Sequence, residues 1–134
     1  MHTKTKGEIA ELAVASWLIG NQWRVLFPFG ENSRYDLVAE RAGRFIRVQV
    51  KYATPKNGVL PVKCSSTNNW NTKRYNKREI DVIAAYASIS KAIYFVPVSL
   101  INDQHQLLLR LTPTKNRQRE GVRFARDFTK LFPR

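Results

Sequence analysis

The stretch that decides the fold is YDLVAERAGRFIRVQVKYA, residues 35–53. Two apolar runs, 36–40 and 45–53, flank the turn-like sequence from Arg41 to Arg44, and the second run alternates between apolar and polar side chains. Alternation with a period of two is typical of a strand with one buried face. We therefore predict two strands joined by a turn that contains Gly43.

Three polar residues of this stretch are predicted to lie close together in the fold. Asp36 begins the first strand, and closing the hairpin brings it near the end of the second strand, where Gln49 and Lys51 lie. Gln49 and Lys51 share one face, about 6.5 to 7 Å apart along the strand. The solvent-exposed face of an antiparallel sheet ordinarily bears such residues too. The strand pattern alone favours this simpler interpretation, in which the three residues have no functional role.

The net charge favours a functional interpretation instead. Lys and Arg total 23 against 10 acids, which gives a formal charge of +13 on 134 residues. So large a positive charge on a small chain indicates an extended polyanionic partner, either DNA, RNA or an anionic membrane. Membrane is the weakest of these because no run of about 18 apolar residues is present.

Length and cysteine content limit the class of protein. A chain of 134 residues is expected to form one domain, 1–134, with a core of its own. Cys64 is the single cysteine, which excludes a disulfide framework and a cysteine-based zinc site and indicates a reducing, cytoplasmic location. Glu8 and Glu11 interrupt the first apolar segment and argue against a signal peptide.

The rest of the chain predicts an α/β fold with a central mixed β-sheet flanked by helices. A first helix is predicted over residues 6–19, capped by Thr5 and buried on more than one side because apolar residues occupy most of its circumference. Asn57-Gly58 is a hairpin signal, and Pro61 indicates an edge position for the strand that follows. The remaining predicted elements are strands at 23–29, 59–65, 80–87 (with a short helix as the alternative), 91–98 and 106–111, and an amphipathic helix within 119–132.

Residues 66–78, STNNWNTKRYNKR, contain basic and aromatic residues but no acid. They show no apolar periodicity, so we predict a long exposed loop that binds nucleic acid. The simpler alternative is a solvated basic loop without a partner.

The cluster at Asp36 suits phosphodiester hydrolysis. This chemistry uses a hard divalent cation, held by carboxylate and carbonyl oxygens, to polarise the phosphate and activate water. Asp36 supplies an anionic oxygen, Gln49 an amide oxygen, and Lys51 a cation that orients the water or offsets developing charge. ATP chemistry is not indicated, because no Gly-rich phosphate loop is present.

The segments RYDLVAE and RVQVKYA resemble the signature of the PD-(D/E)XK nucleases, which have the restriction-endonuclease-like fold. Tyr35-Asp36 takes the Pro-Asp place, and Gln49-Val50-Lys51 takes the place of the acid-x-Lys motif. The resemblance extends to residues 6–38, 80–87, 94–99 and 109–118, and is to the branch found as homing endonucleases within bacterial group I introns.

The resemblance also implies a helix-borne glutamate in the site. Glu8 and Glu11 are both available, and the family's Gly-x-x-x-Glu spacing matches Gly7 and Glu11. The simpler interpretation of Glu8 is a first-turn acid favoured by the helix dipole. Gln49 departs from the family pattern, which has a carboxylate there, and the loss of one negative charge is expected to weaken metal binding.

We therefore predict a Mg²⁺- or Mn²⁺-dependent DNA endonuclease that makes a site-specific double-strand break. Glu11, Asp36 and Gln49 are the expected metal ligands, with Lys51 as a further catalytic residue. One site per chain cuts one strand, so we expect a homo-oligomer, either a dimer or a tetramer, on a roughly palindromic duplex. The alternatives are a Holliday-junction-type nuclease of the same fold and a non-catalytic nucleic-acid-binding module. The predicted DNA-binding residues are Arg44, Arg47, Asn57, Lys63, Trp70, Lys73, Arg74, Tyr75, Lys77, Arg78, Lys115, Arg117 and Arg119.

Overall fold

A computed structural model describes residues 1–67, 72–101, 104–113 and 121–131, with the backbone alone for 66, 67 and 72–74. Its helix and strands are α1 (Thr3–Gly20), β1 (Arg24–Leu26), β2 (Leu37–Arg41), β3 (Arg44–Ala53), β4 (Val59–Lys63), β5 (Ser65–Thr67), β6 (Thr72–Arg74), β7 (Val82–Ala87), β8 (Ile93–Pro97) and β9 (Gln106–Arg110). No helix in the described part of the chain has the length and apolar character needed to cross a membrane.

Helix α1 begins earlier than predicted. The Nδ1 atom of His2 accepts a hydrogen bond from the backbone N–H of Lys4 at 3.1 Å, so His2 is the N-cap in place of Thr5. Ala10, Val14 and Leu18 are fully buried. The opposite side of the helix is open, since Leu12 is 69% and Ile19 62% exposed. The prediction that α1 is buried on more than one side was therefore wrong.

The β2–β3 hairpin forms as predicted from the opening stretch. Arg41 pairs with Arg44 across a two-residue turn, and Leu37 pairs with Val48. Ala42 (φ 53°) and Gly43 (φ 77°) both have the left-handed backbone that matches the twist of a tight hairpin.

The predicted central mixed sheet is confirmed. Its strand order is β1-β2-β3-β7-β8, and only β3 and β7 run parallel to each other. Every residue of β7 is buried, as in a strand covered on both faces, and the helical alternative for 80–87 was wrong. One core packs α1 against the sheet, and the second packs β4 and β9 against the opposite face.

Three local predictions need correction. Asn57 and Gly58 do form a tight turn, but β4 then leaves the main sheet and pairs with β9. Within 66–78, predicted as a loop, the chain forms the β5–β6 hairpin. The predicted C-terminal amphipathic helix is, in its described part, a 3₁₀ turn at Ala125–Phe128.

Candidate active site

Asp36 directly precedes β2 and lies beside the C-terminal half of β3, as predicted from the sequence. Its backbone N–H donates to the carbonyl of Val48 at 2.8 Å, and its Oδ2 accepts from the backbone N–H of Val50 at 2.8 Å. These two bonds fix the carboxylate beside the end of β3. Burial raises the pKa of Asp36, while the bond from Val50 and the charge of Lys51 act in the opposite direction.

Lys51 lies near the C-terminal end of β3, next to Val50, whose backbone N–H donates to Asp36. Its Nζ donates to the carbonyl of Ser65 at 3.2 Å and lies over the ring of Tyr75, 4.9 Å from the centroid. Burial lowers the pKa of Lys51, the attraction of Asp36 opposes this shift, and the charge of Arg34 adds to it. The ammonium therefore lies within the electrostatic reach of the Asp36 carboxylate.

Glu11 approaches the site from α1. Burial raises its pKa, and repulsion from Asp36 and then from Glu8 raises it further. Glu11 is half-buried, whereas Glu8, on the preceding turn, is exposed. The choice of Glu11 as the helix-borne acid stays a prediction.

Gln49 is half-buried on the same face of β3 as Lys51, since the two residues pair with Ile83 and Ala85 of β7. Its Nε2 donates a long hydrogen bond of 3.5 Å to the Val50 carbonyl. This bond does not involve the side-chain oxygen of Gln49. Within the described residues, no three His, Cys, Asp or Glu side chains converge on a point suited to a metal.

The sequence profile of the PD-(D/E)XK endonucleases matches residues 1–131. The chain belongs to the PD-(D/E)XK endonuclease family. The solved structure of a bacterial homing endonuclease, I-Ssp6803I, is similar to it with a TM-score of 0.72 and 31% sequence identity, over 90% of this chain and 84% of that one. Among curated proteins, none matches the sequence.

Membership of the PD-(D/E)XK endonuclease family confirms the resemblance in the sequence and makes this protein a nuclease. The mixed sheet and its helix agree with the fold of the homing endonuclease. Glu11, Asp36, Gln49 and Lys51 stay predictions as site residues.

Arg47, predicted to contact DNA, is engaged within the protein. Its Nε and backbone N–H donate to Oδ2 of Asp81 at 3.1 and 2.8 Å. Its Nη2 lies 3.0 Å from Oδ1 of the same carboxylate. The same guanidinium donates to the carbonyls of Arg78 (2.6 Å) and Lys77 (3.0 Å). Arg47 therefore anchors the turn before β7, and this role explains its position.

Tyr75 was predicted to be exposed in a basic loop, and the structure corrects this. The residue is 4% exposed and packs in the second core. Its ring is covered by the guanidinium of Arg34, with Cζ 4.5 Å from the centroid, and by Lys51. The ring is thus occupied by protein contacts and is not presented to a base.

The other predicted DNA-binding residues stay predictions. The exposed ones lie at the tip of the β2–β3 hairpin, in the turn before β4, at the end of β4 and in the turn before β7: Arg44, Asn57, Lys63, Lys77 and Arg78. Lys73 and Arg74 are described by their backbone on β6 alone. Trp70, Lys115, Arg117 and Arg119 lie outside the described residues.

Arg34 and Asp81 were not predicted from the sequence as residues of this region. Arg34 stands two residues before Asp36 and pairs with Glu79, with 2.8 Å between Nε and Oε2, although the N–H is not aligned as a hydrogen bond. Asp81 is an acid immediately before the buried strand β7. An isolated acid at such a boundary is the signal that pointed to Asp36, and it applies equally to Asp81.

Proposed function

We propose that this nuclease is a metal-dependent DNA endonuclease that makes a site-specific double-strand break, as an intron-encoded homing enzyme does. The observation that supports it best is the position of Asp36 beside β3, where its Oδ2 accepts a hydrogen bond from the backbone N–H of Val50, the residue next to Lys51. The similarity to a homing endonuclease supports the site-specific, homing form of the activity.

The donor set fits a hard divalent cation. Burial raises the pKa of Glu11, and repulsion from Asp36 raises it further, so a cation between the two carboxylates would remove that repulsion. Carboxylate and amide oxygens are ligands suited to Mg²⁺ or Mn²⁺, so Glu11, Asp36 and Gln49 would hold the ion. When bound, the ion would polarise the phosphate and lower the pKa of a water molecule.

Lys51 and Asp36 supply the rest of the chemistry. The Ser65 carbonyl and the Tyr75 ring hold the Lys51 ammonium, which is placed to orient the attacking water or to donate to the phosphate oxygen on which charge develops. The bond from Val50 fixes Asp36 Oδ2, so the carboxylate needs little reorganisation before reaction. Half-burial of both groups strengthens these interactions relative to water.

The positive charge supports a DNA substrate. A protein with a net charge of +13 attracts a polyanion such as DNA. The exposed Arg44, Lys63, Lys77 and Arg78 are proposed to contact phosphates, and Arg47 acts indirectly by fixing the backbone of two of them.

The proposed double-strand break requires at least two copies of the chain. Each copy contributes one such site, and each site cuts one strand. We therefore propose a homo-oligomer, a dimer or a tetramer, whose symmetry matches a roughly palindromic target.

The proposal is tested by incubating the protein and Mg²⁺ with a plasmid library of candidate intron-insertion sites. Glu11→Gln is compared with Glu8→Gln, a matched change one turn away on the exposed side of α1. We expect linear product from the wild type and Glu8→Gln and at least a 100-fold slower reaction with Glu11→Gln. Equally fast cleavage by the wild type and both variants would refute the site. A branched DNA substrate is assayed in parallel, and cleavage of that substrate alone would refute the homing function.

A further inference from the structure

The ring of Tyr75 contacts two cations beside the candidate active site. Nζ of Lys51 lies 4.9 Å from the ring centroid, and Cζ of Arg34 lies 4.5 Å from it. Tyr75 is 4% exposed, so water has little access to these contacts. Attraction between a cation and an aromatic face is largest when both are desolvated. The ring is therefore a fixed part of the surroundings of Lys51.

The other partner of the Lys51 ammonium belongs to the same structural unit as Tyr75. The ammonium donates to the carbonyl of Ser65, the first residue of β5, and Ser65 is itself 4% exposed. Tyr75 directly follows β6, and its backbone N–H donates to the carbonyl of Cys64 at 3.1 Å. The β5–β6 hairpin thus offers the lysine a carbonyl oxygen and an aromatic face from adjacent positions.

Arg34, two residues before Asp36, also contacts the Tyr75 ring. Its guanidinium is paired with Glu79, and the two side chains are only 22% and 16% exposed. Two cations near each other repel, and this repulsion is offset by the Glu79 carboxylate for Arg34 and by Asp36 for Lys51. The arrangement keeps both cations against one ring in a partly buried place.

We propose that Tyr75 is a positioning residue that holds the Lys51 ammonium in the orientation needed for phosphodiester hydrolysis. The inference rests on the proposed function, in which Lys51 assists the reaction. Lysine has a long flexible side chain, and a misplaced catalytic group slows a reaction without weakening substrate binding. Tyr75 acts through Lys51 and does not contact DNA.

The first test separates this role from DNA contact. Tyr75→Phe keeps the aromatic ring, and Tyr75→Leu removes it. At saturating DNA, we expect Tyr75→Leu to lower the single-turnover rate about tenfold and Tyr75→Phe to stay within about twofold of the wild type, with the Kd for DNA unchanged in both. A weaker Kd with an unchanged rate would overturn the proposal, as would a rate that falls equally in both variants.

The second test requires no cleavage, so it distinguishes failure of this inference from failure of the proposed function. The Lys51 methylene signals, assigned by comparison with Lys51→Arg, are measured by ¹H–¹³C NMR. We expect ring-current displacement in the wild type and Tyr75→Phe and its loss in Tyr75→Leu. Signals unchanged in Tyr75→Leu would overturn the inference. A wild type that shows the displacement but cuts no DNA would overturn the function and leave the contact intact.

Discussion

The carboxylate of Asp36 accepts a hydrogen bond from the backbone N–H of Val50, with 2.8 Å between Oδ2 and the nitrogen. The residue proposed as a metal ligand therefore also connects the start of β2 to the end of β3. Its two roles are separable, because an amide side chain preserves the hydrogen bond but not the charge.

Asp36→Asn is expected to abolish cleavage and to leave the fold intact. The amide oxygen still accepts from Val50, so the free energy of unfolding should change by less than about 1 kcal/mol. Asp36→Ala leaves the Val50 N–H without this acceptor and is expected to destabilise the protein by about 1 to 3 kcal/mol. Denaturant unfolding of both variants and a cleavage assay measure the two effects. Activity retained in Asp36→Asn would contradict the catalytic role.

Gln49→Glu is expected to strengthen metal binding. The change adds a negative charge beside the cation without changing the shape of the side chain, so half-maximal activity should need about tenfold less Mg²⁺. Gln49→Ala is the matched control and should need more Mg²⁺ than the wild type. An Mg²⁺ requirement that is the same in all three proteins would show that residue 49 is not a ligand.

The Arg47–Asp81 pair is expected to stabilise the fold in a pH-dependent way. Burial raises the pKa of Asp81, but the hydrogen bonds and charge of Arg47 together hold it below its usual value of 3.8. The contribution is therefore fully present above about pH 4 and is lost as the pH falls through the lower folded-state pKa.

Unfolding of the wild type and of Asp81→Asn measures this contribution. Because the pair is partly exposed, the difference at pH 7 should be about 1 kcal/mol, and it should shrink toward acid pH. A difference that grows as the pH falls would contradict the assignment.

Cys64 is expected to resist alkylation in the folded protein. The residue is fully buried, and burial raises the pKa of its thiol to about 11, although the charge of Lys51 opposes the shift. The reactive thiolate is therefore scarce at pH 8. Labelling with iodoacetamide should be at least 100-fold slower in native buffer than in 6 M guanidinium, each condition serving as control for the other. Fast labelling of the native protein would contradict the buried placement.

The β2–β3 hairpin and the position of Asp36 beside β3 were predictable from the sequence because local patterns determine them. Alternation fixes the faces of β3, and Ala42-Gly43 fixes the register that brings Asp36 to Val50. The choice of Glu11 depended on a family motif, since a helical wheel does not separate it from Glu8.

The remaining features depend on contacts between distant parts of the chain. The parallel pairing of β3 with β7 and the pairing of β4 with β9 join segments that no local pattern relates. Tyr75 was misjudged because its neighbours in sequence are polar, while its burial comes from Arg34, Lys51 and the second core. His2 replaces Thr5 as the cap because an imidazole nitrogen also accepts a hydrogen bond.

Glu11, Asp36 and Gln49 are proposed to hold a divalent cation beside Lys51. Mn²⁺ binding measured by electron paramagnetic resonance tests this claim without a DNA target, because the free ion is counted from its own signal. We predict one strong site in the wild type and in Glu8→Gln, and at least tenfold weaker binding in Glu11→Gln and Asp36→Asn. Equal Mn²⁺ binding by all four proteins would contradict the claim.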